Sequence, residues 1–130
     1  MKKEAVQEQQ KKCINPDYLK QRTKDNPKLI MEMIALYLEQ TPRLVSAMKQ
    51  SLQNKDWSKL QAAVHKMIPS SLIMGISEDF ENIAKKVKEF AGTQQHTDEI
   101  SGMVLQLENV CVQACKELEE AFNTIKNTNC

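Results

Sequence analysis

Glycine, proline and aromatic residues are all scarce in this chain, and their scarcity excludes several fold classes. The 130 residues include 3 glycines, 4 prolines and only 5% aromatic residues. A β-sandwich or β-barrel must turn its chain about every ten residues and depends on glycine and proline to do so. A length of 130 residues suffices for one domain with a core but not for two ordinary domains. The composition therefore predicts a single all-α domain.

The chain also lacks an excess of charge of one sign, a long apolar run and a large number of closely spaced cysteines. Its 18 basic and 17 acidic residues leave a net charge of +1, without the basic surface expected of a protein that binds nucleic acid or an acidic membrane. No apolar stretch approaches the ~20 residues of a membrane span, and no apolar run follows the basic start as in a signal peptide. We therefore expect a soluble cytoplasmic domain, with no nucleic-acid partner, no membrane contact and free thiols.

Two further kinds of site are not predicted. Cys111 and Cys115 lie four residues apart and share a helix face, but no second Cys or His pair is near enough in sequence to complete a tetrahedral metal site. The three glycines are scattered, so the chain has no glycine-rich phosphate loop for ATP. We expect neither a bound metal nor an ATP-dependent enzyme.

The beginning of the chain is predicted to be a linker followed by a short helix. Residues 1–13 contain charge and glutamine but no apolar face, which is typical of a flexible linker or terminus. Asn15 and Pro16 then combine an N-cap with a proline at the first helical position, which predicts a short helix to about Arg22. The folded domain is expected to span residues 14–127.

Four longer amphipathic helices are predicted to follow, because apolar residues recur at three-four spacing along the rest of the chain. The predicted N-caps are Asn26, Asp56, Ser77 and Thr97, and the predicted breaks are at Asn54, Gly75 and Gly92. The first of these helices is expected to bend or break at Pro42, since proline lacks an amide donor and crowds the preceding turn. The pattern predicts an antiparallel four-helix bundle with a short extra N-terminal helix.

One of the two histidines, His65, lies in the middle of a predicted helix. At 100° per residue, the apolar positions of this helix fall within ~40° of one another, and His65 points ~120° away from their centre. The predicted inward face consists of Leu60, Val64, Met67 and Ser71. Pro69 follows one turn after His65 and removes the amide that would bond the His65 carbonyl, so the helix either kinks or ends there. The second histidine, His96, is expected to be a loop residue without a role.

His65 shares its strip of the helix with Gln61, Ile68, Pro69 and Leu72. Gln61 lies one turn earlier and either bonds a ring nitrogen or is a solvated surface residue. The apolar side chains are either an exposed docking patch or are buried against a neighbouring helix. Both readings stay open on the sequence.

This segment resembles the signature of the histidine-containing phosphotransfer (HPt) domains of bacterial phosphorelays. The family reads roughly Ala-His-x-Leu-Lys-Gly-Ser, followed by an apolar residue and a glycine. The corresponding segment here runs from Val64 to Ser70 and continues at Met74 and Gly75, and it agrees in spacing at His65, Met67, Ser70 and Gly75. The stretch from Tyr37 to Leu52, with Pro42 inside it, also resembles the family pattern. The resemblance extends over roughly residues 14–127. The form of the motif around His65 is similar to that in the HPt modules of hybrid sensor kinases.

The resemblance implies a phosphorelay intermediate rather than an enzyme. His65 would accept a phosphoryl group from the aspartate of a response-regulator receiver domain and pass it to another receiver. The receiver would supply Mg²⁺, so the domain would need no cofactor of its own and would act as a monomer. The implied docking surface consists of Gln61, Lys66, Ile68, Pro69 and Leu72.

Two positions depart from the family pattern. The family's lysine and glycine, three and four residues after the histidine, are Ile68 and Pro69 here. That lysine is thought to balance the charge of the phosphoryl group, and Lys66 is only a partial substitute because it points about 100° away from His65. Another candidate source of charge is the next helix, with Lys85, Lys86 and Lys88. These departures leave two alternatives open: a docking module that binds receivers without phosphotransfer, and a purely structural bundle.

Overall fold

The computed structural model describes Lys24, residues 26–76 and residues 78–128, which form four α-helices. These are α1 (Pro27–Gln53), α2 (Trp57–Ile73), α3 (Glu78–Thr93) and α4 (Thr97–Thr128). α1 and α3 each pack against both α2 and α4, and short connections reverse the chain between consecutive helices. This arrangement confirms the predicted all-α four-helix bundle. The predicted linker, the short helix from Asn15 to Arg22 and the Ser77 cap lie outside the described residues.

The helix ends follow local signals in the sequence. The side chains of Asn26 and Asp56 accept hydrogen bonds from the backbone N–H groups of Leu29 and Lys59, both at 3.2 Å, so they cap α1 and α2 as predicted. α2 ends at Ile73, and just beyond it Gly75 has a φ of 71°, which lets the N–H of Ile76 donate to the Ser71 carbonyl.

Three predicted features of the helices differ in the structure. The sequence predicts a bend or a break at Pro42, and the break is wrong: α1 runs through the proline, because residues on both sides of it are buried and tertiary packing holds both halves in place. α3 continues past Gly92 and ends at Thr93, ahead of a left-handed Gln94 (φ 56°). Thr97 is the first residue of α4 rather than its cap, and the residue before it, His96, accepts from the N–H of Glu99.

The core is formed by one apolar face of each helix. In α2 the four residues of the predicted inward face, Leu60, Val64, Met67 and Ser71, are all buried. The Ser71 hydroxyl donates to the Met67 carbonyl at 2.7 Å, so the one polar member of this face has its hydrogen bond satisfied inside the core. The periodicity of the sequence therefore placed the buried face of α2 correctly.

Cys111 is buried and Cys115 is half-buried, and no disulfide joins these two cysteines. Among residues 26–76 and 78–128, no three metal-ligating side chains cluster closely enough to hold an ion. Within the same residues, no helix is both long enough and apolar enough to span a membrane.

Candidate functional site

His65 lies on the outer surface of α2, away from its buried face. The residue before it, Val64, is fully buried, whereas His65 and Lys66 are exposed. This is the orientation that the helical periodicity predicts. An exposed imidazole in the middle of a helix is accessible to a macromolecular partner.

The ring of His65 is contacted by a lysine from the next helix. Nζ of Lys88, in α3, lies 2.8 Å from Nδ1 of His65, although the two residues are 23 positions apart. An ammonium group has three donors and no acceptor, so Nδ1 accepts this hydrogen bond. In the neutral ring the hydrogen therefore resides on Nε2. Of the three lysines on this helix that the sequence offered as candidate sources of charge, Lys88 is the one that contacts the histidine.

The other two lysines on α3 are placed differently. Lys85 forms an ion pair with Glu81 of its own helix, with 3.0 Å between Nζ and Oε2. Lys86 is exposed on α3. A positive charge is thus fixed beside the imidazole by one specific residue, and the charge of the neighbouring Lys85 is partly compensated by a carboxylate.

Gln61 connects α2 to the backbone of α3 beneath this lysine. Its amide nitrogen donates to the carbonyl oxygen of Lys88 at 2.9 Å, and its side chain is half-buried. The sequence left two possibilities for Gln61, a bond to the imidazole or a solvated surface position. The structure shows neither, because the amide is directed across the helix interface. Gln61 therefore fixes the position of the residue that contacts His65.

Gly92 has no side chain, and the Gln61 side chain occupies the space that one would fill. Gly92 lies within α3, one turn after Lys88, and a Cβ added to it would collide with Nε2 of Gln61. The sequence predicted that the helix ends at Gly92, and the structure places the end one residue later, at Thr93. The physical reason for a glycine here is the close approach of the Gln61 side chain to the helix backbone.

This explanation predicts that the effect of Gly92→Ala on the free energy of unfolding depends on whether Gln61 is present. Glycine in a helix interior costs roughly 0.5–1 kcal/mol relative to alanine. In the Gln61→Ala background, Gly92→Ala should therefore raise the free energy of unfolding by up to that amount, because Gly92 is the next-to-last residue of α3. In the wild-type background the gain should vanish or reverse, because the new methyl group displaces the Gln61 amide and a hydrogen bond worth about 1 kcal/mol is lost.

Urea unfolding of the four proteins measures this cycle, and Gly102 provides the control. Gly102 is also a helical glycine, in α4, but a Cβ added there meets nothing within 4 Å. Gly102→Ala should stabilise the protein equally in both backgrounds. An equal gain for Gly92→Ala with and without Gln61 would contradict the proposed contact.

α2 continues through Pro69 and ends only at Ile73. Because proline has no N–H, the His65 carbonyl has no helical donor at that position. Just beyond the proline, the hydroxyls of Ser70 and Ser71 both donate to the Met67 carbonyl, at 3.2 and 2.7 Å. Of the two readings of Pro69, termination of the helix is therefore wrong and an interior proline is confirmed.

The remaining predicted docking residues divide between the surface and the core. Pro69 is exposed, and Leu72 is exposed by 45% of its surface. Ile68 is half-buried and packs against the hydrophobic core. Pro69 and Leu72 thus form a small exposed apolar patch on α2, on the C-terminal side of His65.

Three hollows among the described residues lie away from His65: two lie along α1 and α4, and a third lies around Pro27 and Phe122. Small molecules usually bind in clefts that bury most of their surface. His65, Lys88, Pro69 and Leu72 line none of these three hollows.

His96 takes no part in this surface. Its Nδ1 atom lies 3.1 Å from Oε2 of Glu99, and its ring lies 4.9 Å from the ring of Phe90. These contacts hold the connection between α3 and α4.

Comparison with known proteins identifies the fold. No family model and no curated protein sequence matches the chain. The structure is similar to the crystal structure of the HPT domain from the Hpt sensor hybrid histidine kinase from Shewanella, with a TM-score of 0.73 and 15% sequence identity. The superposition covers 85% of this chain and 94% of that domain. The chain therefore has the four-helix fold of an HPt domain.

Proposed function

We propose that this protein is a phosphorelay intermediate in two-component signal transduction. His65 accepts a phosphoryl group from the aspartate of a receiver domain and passes it to a second receiver. The observation that supports this most directly is the exposed imidazole of His65 with the Lys88 ammonium 2.8 Å from its Nδ1 atom. It occurs on a bundle with the fold of a domain that belongs to a hybrid histidine kinase.

The chemistry of the transfer makes few demands on this chain. A lone pair on a ring nitrogen attacks phosphorus, the N–P bond forms as the P–O bond breaks, and the aspartate carboxylate leaves with the electron pair. Phosphoryl transfer depends mainly on in-line positioning and on stabilisation of charge. His65 supplies the nucleophile and Lys88 a nearby positive charge, while the receiver supplies the aspartate and Mg²⁺. The domain is then a stoichiometric carrier that acts as a cytoplasmic monomer without a cofactor of its own.

The proposed docking surface surrounds the histidine on α2 and α3. Pro69 and Leu72 provide apolar contact area, Lys66 and Lys88 provide positive charge, and Ile68 supports the patch from below. Gln61 contributes indirectly, through its hydrogen bond to the backbone of Lys88. The aspartyl phosphate of a receiver is an anionic group on a protein surface, and it complements this combination of charge and exposed apolar area.

Phosphorylated receiver domains provide the direct test. Incubation of the protein with a panel of receivers, each phosphorylated on its aspartate, should transfer a label that is stable in alkali and labile in acid. His65→Gln should abolish the label, because glutamine retains polarity but offers no nucleophilic nitrogen. His96→Gln is the matched control and should be labelled as efficiently as the wild type. Labelling that persists in His65→Gln, or that no receiver produces, would refute the carrier function.

A docking module without phosphotransfer is the second candidate. It is favoured by Ile68 and Pro69, which stand where the family pattern resembled by the His65 segment has a lysine and a glycine. This candidate predicts that a receiver binds the wild type and His65→Gln with equal affinity and that neither protein becomes labelled. Leu72→Glu should weaken such binding about tenfold, as expected for the loss of a central apolar contact. Calorimetry and the labelling assay together distinguish the two candidates.

A further inference from the structure

The hydrogen bond between Lys88 and His65 assigns a specific role to this lysine within the proposed function. We propose that Lys88 is the charge-balancing residue of the site. Its ammonium holds the resting imidazole as the Nε2–H tautomer and, once His65 carries a phosphoryl group, pairs with the phosphoryl oxygens. The proposal rests on the proposed function, since it assumes that His65 is phosphorylated. The contacts it invokes involve only His65, Lys88 and the residues that position them.

The first step of the argument is the geometry of the resting site. Nζ of Lys88 lies 2.8 Å from Nδ1, which is a normal hydrogen-bond distance. With Nδ1 occupied by this donor and the hydrogen on Nε2, neither ring nitrogen offers a free lone pair. Lys88 must therefore release Nδ1 before the ring can attack phosphorus. Release frees the lone pair of Nδ1, or that of Nε2 after exchange of the ring proton with solvent.

The second step is the fate of the released ammonium. A phosphoryl group on either ring nitrogen places its oxygens within reach of the flexible four-carbon lysine side chain, whose stem is anchored on the facing helix. Hydrogen bonds between an ammonium and a phosphate are charge-assisted and stronger than those between neutral groups. By stabilising the charge on the phosphoryl oxygens through such hydrogen bonds, Lys88 should prolong the lifetime of the phosphohistidine.

The third step is the support beneath Lys88. Gln61 donates to the carbonyl oxygen of Lys88 at 2.9 Å, and the lack of a side chain at Gly92 makes room for it. The lysine backbone is thereby fixed relative to α2, the helix that carries His65. Gln61 and Gly92 act through Lys88 and are positioning residues, whereas Lys88 itself contacts the ring.

The test compares Lys88→Met with two matched variants. Methionine keeps an unbranched stem of similar length but removes every donor. Lys88→Arg restores a cationic donor, and Lys86→Met removes a lysine from an exposed position of the same helix. Circular dichroism should show that all of these variants are folded.

The first measurement is the ¹⁵N chemical shifts of the His65 ring in the unphosphorylated protein. The wild type, Lys88→Arg and Lys86→Met should show the shifts of a single Nε2–H tautomer. Lys88→Met should show averaged shifts from exchange between the two tautomers. A ring that is unchanged in Lys88→Met would overturn the proposal, whatever the phosphorylation experiments show.

The second measurement uses phosphoramidate, which needs no receiver. The ring nitrogen attacks its phosphorus, the donor P–N bond breaks, and ammonia leaves with the electron pair and takes up the ring proton as ammonium. The half-life of the phosphohistidine in Lys88→Met should be shorter by about threefold or more, while Lys88→Arg and Lys86→Met should resemble the wild type. Equal half-lives, or no phosphorylation of His65, would overturn the role of Lys88. Failure of every receiver to label His65 would refute the proposed function but leave this result intact.

Discussion

Replacing Phe80 with alanine should lower the free energy of unfolding by about 3–5 kcal/mol, the usual cost of deleting a buried phenylalanine side chain. Phe80 lies in the first turn of α3, is only 1% exposed and has the largest fully buried side chain among the residues that the structure describes. Its removal eliminates apolar burial and leaves a cavity that the surrounding residues fill only in part. Such a loss is a large fraction of the ~5–15 kcal/mol that stabilises a typical domain.

Urea unfolding monitored by circular dichroism measures the effect, and Leu105→Ala provides the control. Leu105 is a large apolar residue in α4 but is 56% exposed, so its truncation should change the stability by less than about 0.5 kcal/mol. The slope of the transition should be the same in all three proteins, with only the midpoint shifted. Equal losses for Phe80→Ala and Leu105→Ala would show that the core is not packed as described.

The stability of α3 also matters for the site, because this helix carries Lys88. Variants intended to test the site must therefore be distinguished from variants that loosen the bundle. His65 and Lys86 are exposed, so their substitution should leave the midpoint of unfolding nearly unchanged. A loss of labelling in Phe80→Ala would reflect unfolding, whereas a loss in His65→Gln would reflect the missing nucleophile.

The parts of the fold that the sequence predicted correctly are those determined by local periodicity and by capping. The inward face of α2 follows from the 100° step between residues, because Leu60, Val64 and Met67 are apolar at helical spacing. The same arithmetic placed His65 on the outer surface. The starts of α1 and α2 follow from Asn26 and Asp56, whose short polar side chains satisfy the first free amides of each helix.

The features that the sequence did not predict depend on residues far apart in the chain. A glycine near the end of a helical pattern predicts termination, and only the approach of Gln61 from another helix shows why Gly92 lies inside α3. Three lysines at neighbouring positions point in different directions, and the rotation of α3 against α2 decides that Lys88 reaches His65. In the same way, the packing of α1 decides that Pro42 does not break that helix.

Alkaline pH should destabilise the protein through Tyr37, a residue of α1 that is only 4% exposed. Burial raises the pKa of its hydroxyl far above the ordinary value of 10.0. The negative charges of the Cys111 and Cys115 thiolates raise this pKa further, and a hydrogen bond with Thr41 opposes the shift. The folded protein therefore keeps the Tyr37 proton at a pH where the unfolded chain has lost it.

The sign and size of the effect follow from this difference. A raised pKa contributes stability that is fully present below the pKa of the unfolded chain and is lost as the pH rises toward the pKa of the folded state. For an unfolded pKa near 10 and a folded pKa well above it, Tyr37 should account for a loss of about 1.4 kcal/mol between pH 9 and 11. Urea unfolding at these pH values in a reducing buffer measures the loss.

Tyr37→Phe isolates this contribution because it removes only the ionising hydroxyl. The variant should be less stable than the wild type at neutral pH, where it lacks the hydrogen bonds of the hydroxyl, but its stability should fall less between pH 9 and 11. Burial also raises the pKa of Cys115 from 9.0, so part of the alkaline loss belongs to this thiol, and Cys115→Ala removes that part while keeping the loss due to Tyr37. If the wild type and Tyr37→Phe lost equal stability over this range, the phenol would not be held neutral by burial. The tyrosine would then lie outside the packed interior between α1 and α4, contrary to the structure.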